Sequence, residues 1–153
     1  MREDLGRSAF ESFVCATEPR LRDALSAALG TDTGREATAE ALAYAWEHWD
    51  RVSAMENPAG YLYLVGLRRG RRTLTRRVVL MPVASGHTPW IEPGLPAALA
   101  SLSEQQRVVV MLVHCFEWTL GEVAELLDLS KSTVQSHAER GLDRLRSRLG
   151  VNA

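Results

Sequence analysis

The sequence predicts an all-α protein: two small helical domains joined by a proline-rich linker. Three observations carry this. Apolar residues recur at spacings of three and four in every long segment, and no stretch alternates as a strand would. Helix-capping signatures stand immediately before several of those segments. Prolines and glycines crowd into one interval, residues 82–96, where Pro82, Pro89, Pro93 and Pro96 stand with Gly86 and Gly94. Proline removes a backbone donor and fixes its own torsion, so that interval reads as irregular tether.

Taken in order, Phe10, Phe13 and Val14 share one helical face. Pro19 suits the first position of a second segment, with Leu21, Leu25 and Ala28 as its stripe and Gly30 as its stop. Thr31 to Gly34 reads as a polar turn. Arg35 to Trp49 is helical again, with Leu42, Ala45, Trp46 and Trp49 inward. Asn57 caps a further helix and Pro58 takes its first position. Tyr61, Leu64, Val65 and Leu67 are its apolar side, and Gly66 and Gly70 soften it by about 1 kcal/mol each relative to alanine. After the tether, Ser103 and Gln106 make a capping box for a helix whose buried stripe is Val108, Met111, Leu112 and Cys115. Thr119 and Glu122 make another, so a short helix starts at Leu120 with Val123, Leu126 and Leu127 on one side. Asp128-Leu129-Ser130 interrupts it, Ser130 caps the next helix, and Val134, Ala138, Leu142, Leu145 and Leu149 form that helix's stripe.

Composition narrows the function. With 153 residues and a net charge of −1, the chain has ordinary apolar and charged fractions. It has no membrane-length apolar run and no signal peptide, which leads us to expect a cytoplasmic protein. Cys15 and Cys115 are read as reduced, packed thiols rather than a disulfide framework. The charge is unevenly spread. Residues 1–60 hold eleven acids and six arginines; residues 61–81 hold six arginines and no acid; residues 131–153 hold five basic residues against two acids. The basic stretches suit phosphates and the acidic part suits a basic protein surface; the acids also serve simple solubility. His48, His87, His114 and His137 are scattered, and no metal-ligand spacing, phosphate loop or nucleophile elbow is present. The chain is therefore not read as an enzyme, and no cofactor, metal, small-molecule substrate or membrane is expected.

The sharpest motif is the last pair of helices. The face of the final helix opposite its apolar stripe holds Lys131, Ser132, Thr133, Gln135, Ser136, His137 and Arg140, densest at the helix start. A helix-turn-helix sets that end of its second helix against base edges in the major groove. Lys131 and Arg140 suit phosphate or guanine; Ser132, Thr133, Gln135, Ser136 and His137 suit phosphates or base edges. The bland counterpart is a helical hairpin with a solvated face.

The run from Leu95 to Leu112, the helix-turn-helix and the closing Arg144-Leu145-Arg146 resemble region 4 of bacterial sigma factors, especially the short extracytoplasmic-function group. Ala45 to Arg51 is similar to the end of that family's region 2 core helix, and Met55 to Tyr63 to the start of its promoter-melting helix. The resemblance implies a region 2-like domain over residues 1–77, a linker over 78–97 and a region 4-like domain over 98–153. It further implies a subunit of RNA polymerase that directs it to promoters. The first domain would bind the core enzyme through Glu36, Glu40 and Glu47, and would read and open the −10 element through Tyr61, Arg68, Arg69, Arg72 and Arg76. The second would dock at the −35 element. Core RNA polymerase, promoter DNA and an anti-sigma protein are the implied partners.

The chain also departs from the family. The stretch Thr33 to Glu40 keeps carboxylates at Glu36 and Glu40 but has Ala37, Thr38 and Ala39 where the family has larger side chains and a glutamine, a loss of contact area on the polymerase side. Arg68 and Arg72 replace small polar residues, and Gln135 replaces a usual lysine. Two other functions fit the same residues: a regulator that binds duplex DNA without joining the polymerase, and a protein-binding module.

Overall fold

The computed structural model describes residues 1–80 and 94–151, with side chains described for residues 1–75 and 94–151. Among them every regular element is helical, as the spacing of apolar residues predicts. The chain divides into two compact units, Met1–Thr75 and Arg76–Ala153. Most of the expected linker, residues 81–93, lies outside the described residues. At its two ends, α4 runs to Leu80 and α5 starts at Leu95.

The first unit is built on α1 (Arg2–Leu29), α2 (Thr31–Glu47), the single turn α3 (Trp49–Val52) and α4 (Pro58–Leu80). Pro19 does not begin a segment; it lies inside α1. An internal proline forfeits one backbone bond and crowds the preceding turn, at about 3 kcal/mol. Burial on both sides of it offsets that cost: Thr17 before it, and Leu21, Ala24 and Leu25 after it, all face the interior. Gly30, at φ 88°, ends α1 and starts α2 in one residue, so Thr31 to Gly34 is helix rather than turn. This left-handed torsion is one that glycine adopts without steric cost.

The α1–α2 interface is lined by small residues. Ala24, Ala28, Ala37, Ala41 and Ala45 are buried. A Cβ at Gly34 would lie 2.5 Å from the Ser26 Cα, so the two backbones nearly touch there. Ala37 is only 2% exposed and Thr38 is buried with its Oγ1 donating to the Gly34 carbonyl at 2.7 Å. These two positions therefore pack inside the unit, and their small size serves the helix crossing rather than thinning an outer contact surface. Ala39 does face outward.

The start of α4 is as expected: the Gly60 N–H donates to Asn57 Oδ1 at 3.0 Å, ahead of Pro58. Its buried face is not. Leu64 is 60% exposed and Tyr61 and Val65 are half-buried, while Leu62, Tyr63, Gly66, Leu67 and Gly70 point inward. The glycines are contact points. A Cβ at Gly66 would meet Leu25 Cδ1 at 2.6 Å, and one at Gly70 would come within van der Waals overlap of Leu29 Cδ1. Their cost in helix propensity is the condition for α4 to approach α1.

Trp46 is also displaced from its expected place. It is half exposed, although its ring lies 4.9 Å from Phe10. Trp49 is half-buried between Phe10 and Phe13, each at 5.2 Å. Cys15 and Cys115 are exposed and free rather than packed.

The second unit contains α5 (Leu95–Ala100), α6 (Glu104–Val110), a π-helical turn over Met111–Cys115, α7 (Leu120–Leu127) and α8 (Lys131–Leu149). Its core joins Ala98, Leu102, Val110 and Leu145, flanked by Leu99, Leu142 and Leu149. Val108, Val109, Leu112, Val123 and Val134 are fully buried. The π turn widens the helix at Met111, which leaves Cys115 outside the predicted stripe. Among the described residues no helix is long and apolar enough to cross a membrane.

Candidate nucleic-acid interface

The turn between α7 and α8 is fixed by its caps. Thr119 accepts from the Glu122 N–H at 3.1 Å and its hydroxyl donates to Glu122 Oε1 at 3.1 Å. Asp128 closes α7 in the left-handed region at φ 54°; aspartate tolerates that torsion better than most side chains. Ser130 then opens α8 by accepting from the Thr133 N–H at 3.1 Å. One helix-turn-helix results, with α8 braced through Gly141, whose missing Cβ leaves room for Val110 Cγ2 on α6.

The seven predicted contact residues of α8 do not form one uniform face. Lys131, Ser132, Gln135 and Arg140 are exposed; Thr133, Ser136 and His137 are half-buried. Thr133 is tied into the cap, its hydroxyl 2.8 Å from that of Ser130, and Ser132 lies 3.1 Å from the same oxygen. His137 turns its Nδ1 into the unit, where no hydrogen-bond partner meets it among the described residues. The outward groups fall into two rows with a spacing of four, Lys131–Gln135–Glu139 and Ser132–Ser136–Arg140. Gly121 leaves space beside Lys131: a Cβ there would sit 3.1 Å from Lys131 Cε.

On the first unit, α4 carries Tyr61, Arg68 and Arg72 along one outward face, with Arg68 and Arg72 exposed and Arg69 half-buried at its margin. The side chain of Arg76 lies outside the described residues. Tyr63 is 5% exposed, so it is not available to stack on a base. Tyr61 instead belongs to a cluster that the sequence pattern alone does not reveal. Its hydroxyl lies 3.2 Å from that of Tyr44. Arg51 Nη2 donates to the Tyr44 hydroxyl and, at 3.4 Å, to that of Tyr61. The Arg69 guanidinium lies 5.6 Å from the Tyr44 ring centroid, and His48 stacks on the same ring at 4.2 Å. The hydrogen bond with Tyr61, and then burial, raise the Tyr44 pKa above its ordinary value of 10.0 against the opposing pull of Arg51 and Arg69. The Tyr44, His48, Arg51 spacing carries one aromatic-basic edge across the α2–α3 junction, but its closure on Tyr61 comes from a partner on α4.

Glu36, Glu40 and Glu47 are exposed and fall along a single line of α2. They share no element with the arginines of α4. Among the described residues no group of histidines, cysteines or carboxylates is placed to hold a metal ion.

The second unit ends in a capped helix-turn-helix, an arrangement that DNA-binding proteins use to set a recognition helix in the major groove. Residues 94–145 match the family model of sigma-70, region 4. Its overall fold is similar to that of the sigma factor RpoE from Bartonella quintana, solved in complex with the anti-sigma factor NepR. The TM-score is 0.62 at 20% identity, over 95% of this chain and 99% of that one. Among curated proteins none matches the sequence.

Proposed function

We propose that this chain is a sigma-70 family protein and acts as an extracytoplasmic-function type sigma subunit, directing core RNA polymerase to promoters. The observation that carries this is the α7–α8 helix-turn-helix. Its caps fix the turn while Lys131, Ser132, Gln135 and Arg140 stay exposed at the leading part of α8. In this reading residues 98–153 serve as region 4 and dock α8 in the major groove of the −35 element. Residues 1–77 serve as region 2. There the outward face of α4 and the Tyr44–Tyr61 cluster supply cations and an aromatic edge for the −10 element. The acidic line Glu36, Glu40 and Glu47 supplies the contact with the polymerase. An anti-sigma protein fits as a further partner, since the Bartonella RpoE fold was solved with one.

Reconstitution with core polymerase tests the proposal. The expected result is a stable complex that initiates at a defined promoter, with Arg140→Ala lowering promoter binding without unfolding the chain. Reversing charge at Glu36 and Glu40 together should weaken assembly with the core enzyme. A chain that footprints duplex DNA alone, and neither binds core polymerase nor supports initiation, would overturn the subunit reading in favour of a free-standing regulator.

A further inference from the structure

Glu139 stands within the exposed row of α8, next to side chains placed to meet DNA. Gln135 Nε2 donates to Glu139 Oε1 at 3.0 Å, and both side chains are exposed. The row therefore runs from a cation at Lys131, through an amide, to a carboxylate one turn further on. A carboxylate on a surface that meets DNA is repelled by phosphate, so it lowers affinity unless it gains something at a base edge.

The hydrogen bond decides what the pair presents. One of the two amide hydrogens of Gln135 is committed to Glu139, and the amide is held with its nitrogen toward the carboxylate. The groups left outward are dominated by acceptors: Gln135 Oε1 and the remaining carboxylate oxygen. In the major groove cytosine offers the N4 amino donor and adenine the N6 amino donor beside N7. Guanine offers only the acceptors N7 and O6. Resting on the proposal that α8 enters the major groove, we infer that the Gln135–Glu139 pair is a specificity element. It selects a base bearing an exocyclic amino group at the position it faces and rejects guanine there. Glutamate accepting from cytosine N4 and glutamine binding adenine are the two pairings available to it. The neighbouring row, ending at Arg140, supplies cationic attraction that offsets the carboxylate's repulsion.

The test is binding-site selection from duplexes randomised across the −35 window, using holoenzyme reconstituted with the parent, Glu139→Gln, Glu139→Arg or Arg140→Ala. Both Glu139 variants alter an exposed side chain, and their thermal melts should match the parent. The parent should enrich cytosine or adenine over guanine at one position by roughly tenfold. Glu139→Gln should flatten that preference while total binding at low salt holds or rises, and Glu139→Arg should invert it toward guanine. Unchanged preferences at every position in both Glu139 variants would overturn the inference. If Arg140→Ala nevertheless weakened binding, the DNA face of α8 would stand without it. Parent holoenzyme that enriched no sequence would overturn both.

Discussion

Replacing Gly34 by alanine tests whether close backbone approach holds the first unit together. In an isolated helix the change is favourable by about 1 kcal/mol, because alanine loses less backbone entropy than glycine. Here the new Cβ would fall 2.5 Å from Ser26 Cα, 2.6 Å from Ser26 N and 2.7 Å from Ser26 Oγ. Two of those atoms are main chain of α1 and no rotamer change moves them, so α2 must back away from α1. Inserting a methyl into such a contact costs about 1–3 kcal/mol. Because the clash is with main chain, its cost lies toward the upper part of that range and outweighs the propensity gain; the expected outcome is a net loss of up to about 2 kcal/mol. Gly6 supplies the control: it lies inside α1 of the same unit, and a Cβ added there would meet nothing within 4 Å. Gly6→Ala should therefore stabilise by about 0.5–1 kcal/mol. Urea melts followed by tryptophan emission, with Trp118 of the second unit replaced by phenylalanine in each chain compared, read the first unit through Trp46 and Trp49 beside Phe10. For a chain of this size each kcal/mol should also move the thermal midpoint by about 2–4 °C. A Gly34→Ala chain as stable as the parent would refute the crossing described here.

In the second unit, Ser130→Ala removes the acceptor for the Thr133 N–H and should cost about 1 kcal/mol; Ser130→Gly should recover most of that, and equal losses for both would argue that the side chain does something other than cap. In the first, Tyr44 holds its proton above the ordinary 10.0 because of Tyr61 and burial. The unfolded chain loses that proton first as pH rises, so Tyr44's contribution to stability is present below pH 10 and falls away above it. Ultraviolet titration of Tyr44→Phe should therefore lose late-ionising phenol absorbance relative to the parent, and a loss confined to the ordinary range near 10.0 would contradict the cluster.

Much of this architecture is written into short local signals. Asn57-Pro58, Ser103, Thr119 and Ser130 each satisfy an orphan N–H at a helix start, and the structure forms a cap or helix start at each. Such signals depend on residues within one turn, which is why they are legible in the sequence. The departures share a different cause. Local propensity puts Pro19 at a helix start, but burial across both sides of it carries α1 through. The largest apolar residues suggest one phase for α4, whereas its buried face is set by Gly66 and Gly70, whose value lies in the atoms they lack. Tyr44 and Glu139 carry no signal of their own, because their roles arise from partners on another helix or one turn away: Tyr61 for the first, Gln135 for the second.

The same small residues explain how the first unit presents charge. Where helices meet through alanine and glycine, the crossing has no room for long side chains, and these are driven to the outer surfaces. On α2 that places Glu36, Glu40 and Glu47 along one line away from Ala37, Ala41 and Ala45. On α4 it places Arg68 and Arg72 away from Gly66, Leu67 and Gly70. Each helix thus turns a thin face to α1 and a charged face outward, so acid and base stay on separate surfaces instead of meeting at the crossing. A single larger core residue at Gly34 or Gly70 would act on function through this spacing: it would tilt a charged face without touching a charge. Comparing polymerase assembly in Gly34→Ala with that in the Glu36 and Glu40 charge reversals separates the two effects, because only the former should lose stability and assembly together.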